Sequence, residues 1–459
     1  MKLRVRVSRS GPNGVLATSV IIAVSVALFS CATGKKSPAP YGLTARPTAP
    51  PFLQMPARSD GTFPRLLSQT GAFRDTPRIA PDAALIPYDL VVPFWSDGAN
   101  KSRWISVPDG KIKFSPTGEW SFPVGTVFVK HFELATDEAH PDRKRRLETR
   151  LLVCDATGGV YGVTYKWRAD NTDADLLETN LTEAIVINTP TSTRTQTWYY
   201  PSRQDCLTCH TPLAGGVLGV KSRQLNRDFK FPSGATDNQL RTWNHLGLFN
   251  TNLDETDLKY LPTLAHADDT TRSLTDRTRS YLDANCAHCH RPRGTVAYFD
   301  TRYDTPLAQQ NLIEGQVLID QGLDHAHTVA PNDIWRSILF LRVNTTNALK
   351  MPPLAHNVLD ERSVALLRQW IESLPGPQVV APPVISPRGG NFAKPVEVTL
   401  HGESGATIRY TLDGSAPTAS DLLYEGPIHL ENPVVLRAKA FKPGCTRSIT
   451  VQEVFIVGE

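Results

Sequence analysis

Methionine is almost missing from this 459-residue chain: Met1, Met55 and Met351 are the only three. Cysteine is nearly as scarce, at seven residues. Net charge is small, +4, too mild to argue for a nucleic-acid partner. Proline, at 36 residues, is abundant enough to favour turns and linkers over long helices. No acid–base pair, Ser-His-Asp set, metal cage or nucleotide loop has a spacing that argues for hydrolytic or phosphoryl chemistry. With 40% hydrophobic and 20% charged residues the composition is that of a globular protein. The length calls for two to four domains.

The N-terminus has a job of its own. "MKLRVRVSR" is basic, and the 16 residues "VLATSVIIAVSVALFS" are apolar. At ~1.5 Å per residue such a run falls short of a ~30 Å bilayer core, so residues 1–30 are expected to be an export signal. The stretch "LFSC" resembles the bacterial lipobox, which implies that Cys31 is lipidated. Residues 31–59, rich in proline and polar side chains, are expected to be a flexible tether.

From residue 60 to 200 short β-branched or alternating runs follow one another, among them "TVFVKHFEL", "ETRLLVCD" and "VYGVTYKW". A β-sandwich is expected there. Within it "HPDRKRRLE" reads as a solvated hairpin loop, with a docking patch for an acidic redox partner as the alternative. Residues 201–270 form a segment with one predicted short helix, "DNQLRTWNHLGLF", capped by Asp237. Residues 271–375 read as a mainly α unit. Its first helix ends in "NCAHCH". Its last, "DERSVALLRQWIESLP", is capped by Asp360, with Val364, Leu367, Ile371 and Leu374 as the apolar stripe. A Pro-rich linker spans 376–384. Residues 385–459 alternate again and form a second, Ig-like β-sandwich.

Four of the seven cysteines fall in two copies of Cys-x-x-Cys-His: Cys206, Cys209, His210 and Cys286, Cys289, His290. With 7 Cys and 12 His in the chain, one such triplet arises by chance in about 3 of 1,000 sequences of this composition. The pattern has a mechanical reason. Two thiols three apart can each add to a vinyl group on one edge of a haem, and the adjacent His reaches the iron from the same turn. A zinc site would use both thiol pairs and leave the two His unexplained. Cys-x-x-Cys alone is also the pattern of a thioredoxin-like redox pair. Export agrees with haem attachment, so two covalently bound haem c groups are expected.

The other face of each iron needs a ligand. For the second haem it is Met351, 61 residues after His290 and followed by two prolines that stiffen the loop. His/Met ligation raises the reduction potential and suits electron transfer. For the first haem no methionine lies between the motifs. His245 is the first candidate, His131 the second and His266 the third; an open iron is the alternative. His288 is expected at the surface, and His325 and His327 near a haem edge. Cys154 and Cys445 fall in different predicted domains and are expected to be free thiols.

Taken in order, "FPRLLSQTGAF", "YDLVVPFWSDGANKSRWISVPDG", "FPVGTVFVKHFEL", "YPSRQDCLTCH", "QLNRDF", "NCAHCHRPRG", "VAPNDIWRSILFLR" and "MPPLA" resemble a bacterial family of exported dihaem c-type cytochromes. Residues 271–375 resemble the class I cytochrome c domain. The resemblance implies a carrier lipid-anchored in the periplasm at the outer membrane, taking electrons from a dehydrogenase or another cytochrome. The C-terminal "ISPRGGNF", "IRYTLDGSAPT" and "LRAKAF" resemble the chitobiase C-terminal-type sandwich. That module implies no catalytic residues, and nothing in the sequence supports glycan binding by it. Two other functions remain open at this point: a dihaem peroxidase-like oxidoreductase with an open first iron, and a surface scaffold lipoprotein.

Overall fold

The computed structural model describes residues 40–458. The expected export signal over 1–30, Cys31 and the first part of the tether lie outside the described residues.

Six strands are hydrogen-bonded side by side in chain order, all antiparallel: β1 (Ile86–Tyr88), β2 (Asn100–Ser106), β3 (Val127–Ala135), β4 (Lys144–Cys154), β5 (Val160–Trp167) and β6 (Ala174–Leu176). Alternation sends every second side chain to the same face. On one face Val127, Val129, Leu151, Val153, Tyr161, Val163 and Tyr165 form a dry core with Leu53, Met55, Leu67 and Phe73. Each large apolar side chain so buried contributes about 1.5–3 kcal/mol. The expected tether is therefore pinned over its described part. Leu53 and Met55 are buried, and Tyr41 stacks on His245 with ring centres 3.6 Å apart. Met55, expected in mobile chain, is a core residue.

The opposite face carries Lys101, Arg103, Phe128, Lys130, Phe132, Arg150 and Gly162 around a cavity. So many cations cannot pack dry against a second sheet. The sandwich expected over 60–200 is reduced accordingly. A hairpin, β7 (Leu181–Asn188) with β8 (Thr193–Tyr200), covers only one end, where Ile185, Ile187, Trp198 and Tyr200 meet Phe132, Leu134 and Leu147. The other end is covered by residues of the 201–270 segment, including Val217, Val220, Leu240 and Trp243. The basic run of the 140–148 loop mostly enters β4. Arg145 pairs with Glu183 at 2.5 Å, and Arg146 lies over the Trp167 ring, so neither is free for docking.

Five helices position the motifs: α1 (Arg203–Cys209), α2 (Gln239–His245), α3 (Leu274–Asn285), α4 (Ile338–Val343) and α5 (Glu361–Ser373). Asn238, not Asp237, caps α2 by accepting from Leu240 N and Arg241 N. Asp237 instead binds Arg241, Thr242 and the Gly42 amide. The cap at Asp360 is as expected, accepting from Ser363 N at 3.2 Å. The buried stripe of α5 is Ser363, Leu366, Leu367, Trp370 and Ile371, rotated from the expected one because Trp370 fills the core beside Tyr281 and Phe340. Helix accounts for less than a third of residues 271–375. The region is thus a unit of three helices joined by long loops rather than mainly α.

The chain ends in a β-sandwich. A three-stranded sheet (Val384–Ser386, Val396–His401, Ile428–Leu430) packs on a five-stranded one over Val398, Leu400, Leu436, Ala438 and Phe455. Gly414, at φ +79°, makes the turn expected in "LDGSAPT". Asp324 ties this sandwich to the preceding unit, pairing with Arg336 at 3.2 Å and Lys439 at 3.3 Å. Among the described residues no helix is long and apolar enough to cross a membrane.

Candidate cofactor sites

The first motif sits on a reciprocally capped helix. Ser202 Oγ accepts from Asp205 N, and the Asp205 carboxylate accepts from Ser202 N and Tyr199 Oη at 2.8 Å. This cap fixes where α1 starts, and hence where Cys206 and Cys209 point. Cys206 packs onto β5 at Gly162, where a Cβ would stand 2.8 Å from its Sγ. His210 closes the turn by donating its backbone N–H to Cys206 O at 3.0 Å. Its ring Nδ1 lies 2.8 Å from Gly216 O. A carbonyl only accepts, so Nδ1 carries the proton and Nε2 keeps its lone pair. Gly215 and Gly216, both at positive φ, form the turn that aims this carbonyl. Burial pushes the His210 pKa down to about 3, which keeps the ring neutral.

Cys206, Cys209 and His210 line a cavity of about 1310 Å³, counting its open mouth. Its walls are largely apolar: Tyr88, Leu90, Val92, Phe94, Phe128, Phe132 and Leu152. Four cations of the sheet also face it. Arg103 pairs with Asp89 at 2.7 Å, and Arg150 forks onto Glu148 at 3.0 and 2.5 Å. Lys101 donates to Phe94 O. Lys130 has no hydrogen-bond or ion-pair partner among the described residues. Burial, then the neighbouring Arg103 and Arg150, push its ammonium pKa down to about 7.

The second motif follows α3 without a break. Cys286 N bonds Leu282 O at 2.9 Å, and His290 N bonds Cys286 O at 2.8 Å, repeating the turn of the first motif. The His290 ring stacks on Phe299, with centres 4.4 Å apart and planes 13° from parallel. Burial lowers its pKa to about 4. Cys286, His290 and Met351 line one cavity of about 830 Å³ with Phe299, Ile338, Leu339 and Val343. Met351 is held there by its backbone, whose N–H donates to Arg342 O at 2.8 Å just beyond the core turns of α4. Val296, Tyr298, Leu318 and Ile319 form an exposed apolar rim.

The two sites share a wall. Cys209 and Cys289 face each other closely enough for each thiol to shift the other's acidity. His288 is buried, contrary to expectation, and meets the Phe94 ring edge-on at 5.6 Å. Phe94 in turn lines the first cavity, as do Ala284, Leu354 and Ala355 from the second unit. Ionic contacts bind the halves. Arg291 donates to Leu213 O and Glu119, and Asp283 receives Lys221 at 3.0 Å and Arg223 at 3.6 Å.

The sequence-derived sixth ligands of the first site are not at its cavity. His245 lies on the outer side of α2, stacked on Tyr41, because Leu240 and Trp243 take the inner side. His131 points to the opposite face of the sheet, between Thr149 and Trp167. His266 is exposed beside Asp268. His325 and His327 do not line the second cavity; His327 sits against Glu314 O. Among the described residues no group of three or more His, Cys, Asp or Glu side chains converges as a metal cage, which leaves the four-thiolate zinc alternative without geometry. Cys154 and Cys445 are free thiols.

Sequence reasoning missed the four inward cations. Their signal is Arg103, Lys130 and Arg150 in register across three neighbouring strands, with Lys101 two residues before Arg103 on the same face. Comparison with known families matches residues 387–452 to the Chitobiase/beta-hexosaminidase C-terminal domain, a likeness confined to the C-terminal sandwich. No curated protein matches the chain.

Proposed function

We propose that this chain is an exported dihaem c-type cytochrome that carries electrons in the bacterial envelope, anchored through Cys31 and supplied by a dehydrogenase or another cytochrome. The observation that carries the reading is that Cys206, Cys209 and His210 wall one cavity, and that Cys286, His290 and Met351 line another. Both cavities have mostly apolar walls, as ordinary ligand pockets do.

The residues present fit haem. Cys206 and Cys209 would hold the first group and Cys286 and Cys289 the second. His210, with its proton committed to Gly216 O, presents Nε2 as a donor. His290 and Met351 form a His/Met pair. Haem supplies one-electron exchange at iron. The chain's part is to fix ligand identity, keep water from the cavities and set the two sites against a common wall. Lys101 Nζ, paired with no protein carboxylate, is a hydrogen-bond donor that suits a carboxylate of a porphyrin.

The test is to purify the protein from a host able to attach haem. A covalent mass gain equal to two haems, with a reversible ferric/ferrous spectrum, is expected. A colourless protein with unmodified thiols would overturn the proposal.

A further inference from the structure

The first cavity contains no methionine and no second histidine on its walls. Its other nitrogen and oxygen donors are nearly all engaged. Tyr199 donates to Asp205, Gln224 donates to Val92 O, Lys101 donates to Phe94 O, and the two arginines hold carboxylates. Guanidinium groups stay protonated and offer no lone pair. Lys130 differs. It stands mid-strand on β3, faces the cavity, and its Nζ has no partner among the described residues. The nearest aromatic ring, Phe132, has its centre 5.8 Å away. Lys130 lines the same cavity as Cys206, Cys209 and His210. Lys101, one strand over, is held by Phe94 O.

We propose that Lys130 Nζ is the sixth ligand of the first haem iron, opposite His210. The assignment rests on the dihaem reading. To bind, the ammonium gives one proton to solvent, and the freed lone pair makes the bond. Arg103 and Arg150 stand directly opposite Lys130 on the two neighbouring strands, and like charges on both sides favour the neutral amine. The arrangement also gives the cavity a reason to tolerate an unpaired cation, which would otherwise only cost stability.

The experiment compares the wild-type holoprotein with Lys130→Ala, Lys130→Arg and Lys101→Ala by optical and EPR spectroscopy. In the wild type the first haem is expected to be low-spin with two nitrogen ligands. In Lys130→Ala and Lys130→Arg it becomes high-spin, because alanine has no donor and guanidinium keeps its proton. Added imidazole restores the low-spin state in Lys130→Ala. Lys101→Ala keeps the wild-type ligation. The Met-ligated spectrum of the second haem, unchanged in all variants, reports that the fold is intact. A low-spin first haem in Lys130→Ala without imidazole, or a high-spin one in the wild type, would overturn the assignment; so would loss of ligation in Lys101→Ala alone. Failure of the dihaem reading shows separately, as a wild-type chain without two covalent haems by mass.

Discussion

Cys209 and Cys289, 80 residues apart in sequence, stand side by side in the fold. The two motifs therefore meet through their second thiols. Groups attached at these thiols share an edge, and charge placed on one is felt by the other. For unit charges ~10 Å apart at an effective dielectric of ~20 the interaction is about 1–2 kcal/mol. Removing the first haem with Cys206→Ala and Cys209→Ala is expected to shift the potential of the second by tens of millivolts. A redox titration of the single-haem and two-haem proteins measures it.

Met351 shares a cavity with His290. On the dihaem reading, Met351→His exchanges a thioether that raises the potential for an imidazole that lowers it. The second haem is expected to fall in potential by more than the tens of millivolts by which coupling can move the first. The same titration, followed at two wavelengths, separates the sites.

Asp283 on α3 is 0% exposed and its partner Lys221 7%. Burial opposes the charge, but Lys221 and Arg223 overcome it and hold the carboxyl below its ordinary pKa. Removing one partner strands the others in a low dielectric. Asp283→Ala is expected to destabilise the fold by about 3–5 kcal/mol, read by denaturant unfolding of the holoprotein.

Asp324 gives a pH dependence. Burial raises its pKa, but Arg336 and Lys439 outweigh that and leave it lowered. A carboxyl with a depressed folded pKa contributes stability that is fully present above its unfolded value, ~3.9, and is lost as pH falls through the folded value. Below about pH 4 the C-terminal sandwich is expected to loosen from the preceding unit. Limited proteolysis in residues 376–384 by an acid-active protease measures it, and Asp324→Asn should show the same cleavage at neutral pH.

Much of this architecture was legible in the sequence where periodicity and caps agree. Helices α3 and α5 fall where Ser273 and Asp360 start them, and the alternating strands after residue 384 form the C-terminal sandwich. The two motifs were legible from spacing; Met351, singled out by scarcity, lines one cavity with His290. What covers the six-stranded sheet was not. In "TVFVKHFEL" Lys130 alternates with apolar neighbours as a solvent-facing residue does, and only strand pairing with Arg103 and Arg150 reveals a covered, charged face. His245 misled for a related reason. Its helix was foreseen, but the side turned inward is decided by Trp243, whose large ring has the most surface to bury.

The stack of Tyr41 on His245, reinforced by the bond from Tyr41 Oη to Glu255 at 2.8 Å, holds the start of the described chain against α2. Tyr41 is ten positions after Cys31, with nine residues between them. A fully extended segment of that length spans at most about 35 Å. Were a lipid carried at Cys31, the leash would be short: the body would stay within roughly one protein diameter of the bilayer surface, and a soluble redox partner would have to come to it there.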